Sequence, residues 1–360
     1  MMASNQPLSA SFRDPAGFLF SQDGTLYRQV NLAGRDDYEH FMSSGLYQVL
    51  VDASLLISHS EVDVISPQPA LAHKIIQPEV VPFISYPYEW CFGQLQDAAL
   101  MTLAVQKRAL ESGMVLKDAS AYNVQFVRGC PVLIDTLSFG IYEEGKPWDA
   151  YRQFCQHFLA PLALMVYGDV RLSQLLRVYI DGVPLDLASA LLPFRTRLIF
   201  PLLLHIHLHA RAQVRYADVA SADTLRAVNH TRQVSKVALL GLIDSLESIV
   251  TKLRWQKTNT AWADYYAATN YTSSAIEHKK RLVAEFVDRV RPKTLWDLGA
   301  NTGRFSRVAS DAGIFTVAFD IDPGAVQQNY AVCSAKGEQH LLPLVLDLTT
   351  VSYTHLRAHE

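Results

Sequence analysis

The chain has 360 residues, of which 49% are hydrophobic and 19% charged, and its net charge is −3. That length sets an expectation of two or three domains with ample material for buried cores. A near-neutral charge gives no footprint for nucleic acid or for a membrane surface. The four cysteines (Cys91, Cys130, Cys155, Cys333) include no Cys-x-x-Cys pair, which argues for a reduced, cytoplasmic setting without a structural metal. The opening Met1–Pro7 has no apolar signal core. The strongest apolar run, Leu198–Leu208, contains Pro201, His205 and His207 and is too short for a bilayer.

In chain order, Ala16–Ser21 and Thr25–Val30 flank Gln22-Asp23-Gly24, a hairpin signal. From Asp36 to Leu56 the apolar residues Tyr38, Phe41, Leu46 and Leu50 fall at helical spacing. Val80–Tyr88 reads as a strand running into a proline-punctuated connector. Gln94–Ser112 predicts a helix with Leu95, Ala98, Ala99, Leu103, Ala109 and Leu110 on one broad stripe, and Gly113 stands at its C-terminal cap.

Met114–Phe126 then carries Asp118 and Asn123 in a loop, and Asp135 ends a strand from Pro131. This layout resembles the catalytic core of protein-kinase-like folds, including the aminoglycoside phosphotransferase branch. The resemblance implies Asp118 as base, Asn123 as a metal ligand and Asp135 as a second metal position. Four departures accompany it. Lys117 precedes the loop aspartate, Asp135-Thr-Leu-Ser replaces Asp-Phe-Gly, and the first hairpin has no glycine-rich loop. There is no Val-Ala-Ile-Lys strand either, so Arg28 or His73 would have to supply the cation. Loop capping is the plainer role for Asp118 and Asn123.

His205 and His209 would share one helix face at i, i+4, but no glutamate lies between them in a His-Glu-x-x-His arrangement. A packed or surface helix end is the reading, and no metal is expected. Ser235–Trp255 is amphipathic through Val237, Leu240, Ile243, Leu246, Ile249 and Leu253, as a connector between domains would be; a coiled-coil helix is the alternative. The expected division is a kinase-like region over 1–215, connecting helices over 216–260, and a nucleoside-binding region over 261–350.

Within that last region Glu277–Val290 predicts a helix. The run Thr294–Trp296 ends in Asp297 and Gly299-Ala-Asn301-Thr-Gly303, and Phe315–Phe319 ends in Asp320. Apolar strands ending in acids and glycine turns build a nucleoside pocket on a parallel sheet. Asn301 and Arg304 replace the second and third glycines of a dinucleotide fingerprint, so a pyrophosphate is poorly served. The segment resembles motif I of the class I S-adenosylmethionine-dependent methyltransferases, in the Asp-x-Gly-x-Asn-x-Gly variant.

The resemblance implies S-adenosylmethionine as cofactor. Asp297 would lie near its methionyl end, and Gly299 and Gly303 at the turn. The amides of a helix opened over Thr302–Ser310 would face its carboxylate. Asp320 would take the ribose hydroxyls, with Asp322 as alternative, Ile321 would pack on adenine, and Asp347 would take the adenine amino group at the end of Leu344–Leu348. Tyr271, in the aromatic stretch from Trp262, is a lid candidate. Gly299, Gly303 and Asp320 should share one hollow.

The last ten residues, Val351–Glu360, back-translate as GTC TCT TAT ACA CAT CTC CGA GCC CAC GAG, which resembles the end of a transposase-type sequencing adapter. They are read as an artefact, with the domain cut after its third strand and its first strand, 293–297, left as a bare edge. The expected fold class is thus an α+β kinase-like region followed by a truncated α/β Rossmann-like methyltransferase domain. The whole looks like a bacterial methyltransferase family related to nodulation-type proteins. The expected function is methyl transfer to an acceptor that the sequence does not specify, nor does it specify an oligomeric state. The alternatives are a bifunctional protein that also phosphorylates a small molecule, or a non-catalytic pseudo-kinase interaction module.

Overall fold

A computed structural model describes residue 8 and residues 14–210, 233–255 and 272–348. Tyr271, the stretch from Trp262 and the tail 351–360 lie outside the described residues.

The chain opens with an antiparallel sheet of order β1-β2-β4-β3, built from β1 (Gly17–Gln22), β2 (Thr25–Asn31), β3 (His59–Glu61) and β4 (Ala72–Pro78). The β1–β2 hairpin turns at Asp23-Gly24 as its sequence indicates. The expected helix over 36–56 is two, α1 (Arg35–Ser43) and α2 (Leu46–Asp52), broken where Gly45 adopts a left-handed φ of 78°. The expected strand at 80–88 is absent, and the extended segment comes earlier, as β4. Pro82 and Pro87 remove ladder donors, and Pro87–Glu89 forms a 3-10 turn instead.

The central beam is α3 (Phe92–Glu111). Its apolar stripe of Leu95, Ala98, Ala99, Leu103, Ala109 and Leu110 is wholly buried. Around it lie β5 (Met114–Leu116) paired with β8 (Phe139–Ile141), and the hairpin β6 (Val124–Val127) with β7 (Cys130–Leu133). Next come α4 (Tyr151–Phe154), a π-helical turn (Cys155–Leu159) and α5 (Ala160–Tyr167), which run as one buried rod. Short helices α6 (Leu175–Val178), α7 (Leu185–Leu191) and α8 (Phe200–Leu202) follow, with a second π turn over Leu203–Leu208.

Helix α9 (Lys236–Lys252) is capped by Ser235, whose Oγ accepts the Ala238 amide. Rather than bridging two bodies, it packs on α3. Leu239, Ile243, Leu246 and Val250 enter the core, Gln96 Nε2 donates to the Val250 and Leu253 carbonyls, and Lys107 pairs with Asp244 and Glu247. Apolar spacing predicts such a helix but not its partner.

The C-terminal segment runs α10 (Ser273–Val290), β9 (Thr294–Leu298), α11 (Ser306–Ser310), β10 (Phe315–Asp320), α12 (Pro323–Lys336) and β11 (Leu341–Val345). Its strands are parallel in the order β11-β10-β9, so β9 is an edge. One sheet face rests on the N-terminal region, since Val317, Phe319, Leu342 and Leu344 share a core cluster with Phe92 and Leu95. Polar bonds fix the seam. Gly93 N donates to Gln327 Oε1 at 2.7 Å, Gln94 Nε2 to the Pro343 carbonyl at 3.0 Å, and Tyr330 OH to Asp97 Oδ2 at 2.7 Å. On β9 that cover thins, and Trp296 and Leu298 stand 50% and 54% exposed.

Candidate functional site

Parallel strands release their chain at one end, and there the tips of β9 and β10 enclose a hollow of about 610 Å³. Asp297, Gly299, Asn301, Asp320 and Ile321 all line it, together with Lys279 and Val283 from α10 and with Phe305. Asp320 is 9% exposed. Its Oδ2 accepts the Asn301 amide at 2.7 Å and its Oδ1 the Asp322 amide at 2.9 Å. A carboxylate has about four acceptor positions, so each oxygen keeps capacity for one more donor. Asp297 Oδ2 accepts the Ser306 hydroxyl at 2.6 Å, which holds the acid at the mouth of β9. The Lys279 ammonium stands 4.2 Å above the Phe305 ring.

The two glycines differ. Gly299 has φ 84°, and a Cβ there would meet nothing within 4 Å, so backbone conformation demands glycine and the site leaves open room. Gly303 does not line the hollow. It has φ 74°, and a Cβ would come 2.5 Å from the Asn329 amide, so close packing of the turn on α12 excludes a side chain.

Two further expectations are corrected. The helix after the glycine turn begins at Ser306 rather than Thr302 and has 5 residues, because 301–305 is spent on the turn itself. Strand β11 ends at Val345, so Asp347 lies in the loop beyond it and is not among the residues lining the hollow. Asp322, the alternative ribose partner, is not among the residues lining the hollow, and its Oδ1 accepts the Gly324 amide at 2.8 Å as the cap of α12. Sequence reasoning missed Val283 and the bond from Ser306 to Asp297. The signal for the first was Lys279 and Val283 at i, i+4 on the helix preceding β9.

The kinase-like candidates divide. Asp118 and Asn123 line a second hollow of about 650 Å³ with Arg152, Gln153, His157 and Asp181, and Asp135 is not part of its wall. Asp118 Oδ1 accepts the Ser120 amide at 2.9 Å and Gln153 Nε2 at 2.8 Å. Asn123 Nδ2 reaches Ser138 Oγ at 3.4 Å. Arg28, not His73, meets Asp135, with Nη1 2.6 Å from Oδ1, while His73 faces Glu39. Burial lowers His157 to about 4, with the charge of Asp181 opposing the shift.

Two of the three histidines are held by neighbouring hydroxyls, and His209 stacks on the Tyr151 ring. His205 contacts Tyr151 OH at 2.8 Å and Ser245 Oγ at 3.0 Å, and His207 contacts Ser189 and Thr196 hydroxyls. Among the described residues no group of His, Cys, Asp or Glu is placed to hold a metal ion, and no helix is long and apolar enough to cross a membrane.

The arrangement is thus that of an α/β protein with a hollow above parallel strand tips, lined by apolar side chains and two carboxylates. No family model matches the chain. It is 33% identical over 349 residues to nodulation protein NoeA of Rhizobium meliloti (strain 1021), across 94% of this chain and 71% of that protein. The chain belongs to the family of that nodulation protein.

Proposed function

We propose that the C-terminal segment is a Rossmann-like S-adenosylmethionine-binding unit and that the protein is a methyltransferase. The observation that carries this reading is the placement of Asp320 at the tip of β10, in one hollow with Asp297, Gly299 and Ile321. Asp320, fixed by two backbone amides, would receive the ribose hydroxyls on its remaining acceptor positions. Ile321 would pack on the base, and the Gly299 backbone leaves it room.

Charge supports the same ligand. Asp297 and Asp320 face one ammonium, Lys279, so the wall carries net negative charge against a ligand with one net positive charge. The hollow also falls within the roughly 300–1,000 Å³ of small-molecule sites. The cofactor supplies an activated methyl group, so the protein's own part is to orient it and exclude water. Four unpaired cysteines suit a reducing compartment, the cytoplasm.

Isothermal titration of the protein with S-adenosylmethionine and S-adenosylhomocysteine tests this reading. Saturable binding is expected, weakened roughly tenfold or more in Asp320→Ala. Absence of saturation by either ligand at millimolar concentration would sink it.

A further inference from the structure

In kinase-like families the phosphates lie beneath the hairpin sheet, a strand cation contacts them, and the aspartate after the second hairpin holds their metal. Here a side chain from the segment after Asp135 packs against that sheet. Leu137, two residues after Asp135, is 6% exposed and packs in one cluster with Ala16, Val30, Tyr38 and Ile76 on the underside of the sheet. A Cβ on Gly17 would stand 2.6 Å from Leu137 Cδ1, so β1 lies directly on that side chain.

The metal position is also taken. Asp135 Oδ1 meets Arg28 Nη1 at 2.6 Å and accepts the Leu137 amide at 3.0 Å, and its Oδ2 accepts the Ser138 hydroxyl at 2.6 Å. The two charged side chains are only 14% and 18% exposed. A guanidinium there neutralises the carboxylate and takes one of its oxygens, so the pair offers a divalent cation little charge to bind. Asn123, the other implied metal ligand, is turned toward the same Ser138. A second ion pair, Lys117 to Asp37 at 2.7 Å, ties α1 to the loop of Asp118, and Asp37 Oδ1 accepts the Ile141 amide at 3.0 Å.

We propose that the Arg28–Asp135 pair and the inserted Leu137 lock the hairpin sheet onto the helical part, so that the N-terminal region takes no magnesium nucleotide and serves as a rigid base for the C-terminal sheet. Of the residues that the kinase-like layout implies, Asp135 is the one the fold uses to hold its two parts together. This inference is independent of the cofactor reading above.

The test titrates the full chain with ATP and ADP, with and without magnesium, by calorimetry and by melting temperature. No magnesium-dependent heat is expected, and no magnesium-dependent rise in melting temperature. Heat that persists without magnesium and in Asp135→Asn belongs to another site and agrees with the proposal. Magnesium-dependent binding lost in Asp135→Asn overturns it. The lock itself is read from Arg28→Met, Asp135→Leu and the double variant. Each single change should lower the melting temperature by roughly 5 °C, and the double by no more than the worse single. Additive losses would show that the two side chains do not act together and would overturn the lock.

Discussion

The backbone amide of Asn301 donates to Asp320 Oδ2 at 2.7 Å, so the turn that follows β9 hangs from the tip of β10. Asn301 carries a left-handed φ of 51° in that turn. The same carboxylate therefore shapes the hollow and faces into it.

Asp320→Ala removes the acceptor of two buried amides, and the expected loss of stability is about 1–3 kcal/mol for each amide in urea unfolding. Asp320→Asn keeps one carbonyl oxygen and should fall between. A variant as stable as the parent would show that the turn does not depend on this side chain.

Gly303→Ala should cost more than Gly299→Ala. Both accept a strained φ, roughly 1–2 kcal/mol for a left-handed alanine, but only Gly303 adds a collision with Asn329. Asn329→Ala in the Gly303→Ala background should recover part of the loss. Equal costs for the two glycines, measured by denaturant midpoint, would contradict the packing argument.

Gln94 is fully buried at the seam, with Nε2 on the Pro343 carbonyl and Oε1 on the Cys91 amide. Gln94→Leu leaves both partners unpaired and should cost about 1–3 kcal/mol for each unmet group. Since the seam shares one apolar cluster with the N-terminal core, calorimetry should show one unfolding transition. Two resolved transitions would mean the halves fold independently.

Acid should destabilise the protein in a defined window. Burial holds His157 and His205 down to about 4, against roughly 6.5 in an unfolded chain. Between those values the unfolded chain binds protons that the folded one refuses, so stability falls as pH drops from 6.5 to 4. For these two groups it is level above and below that window. His205→Gln should flatten the decline of melting temperature with pH, and an unchanged slope would remove His205 from the account.

Legibility followed how local each signal is. The β1–β2 hairpin, α3 and β10 were readable because turn chemistry and side-chain period act over a few residues. The break at Gly45, the absent strand at Pro82 and Pro87 and the late start of α11 were not. There hydrogen bonding and neighbouring packing compete with a pattern that tolerates both outcomes. Ser306 entered the site through a contact that no spacing along the chain encodes.

What the sequence alone determined is the chemistry available at the strand tips: an acid after each of two apolar runs and a glycine turn with room beside it. The tertiary structure decided how those groups are used. It set Gly303 against α12 rather than the hollow, left Asp347 outside, and turned Arg28 onto Asp135. The reason is reach. Backbone preference and apolar period act between near neighbours in the chain, whereas an ion pair between Arg28 and Asp135 exists only once both have been brought to one place by the core.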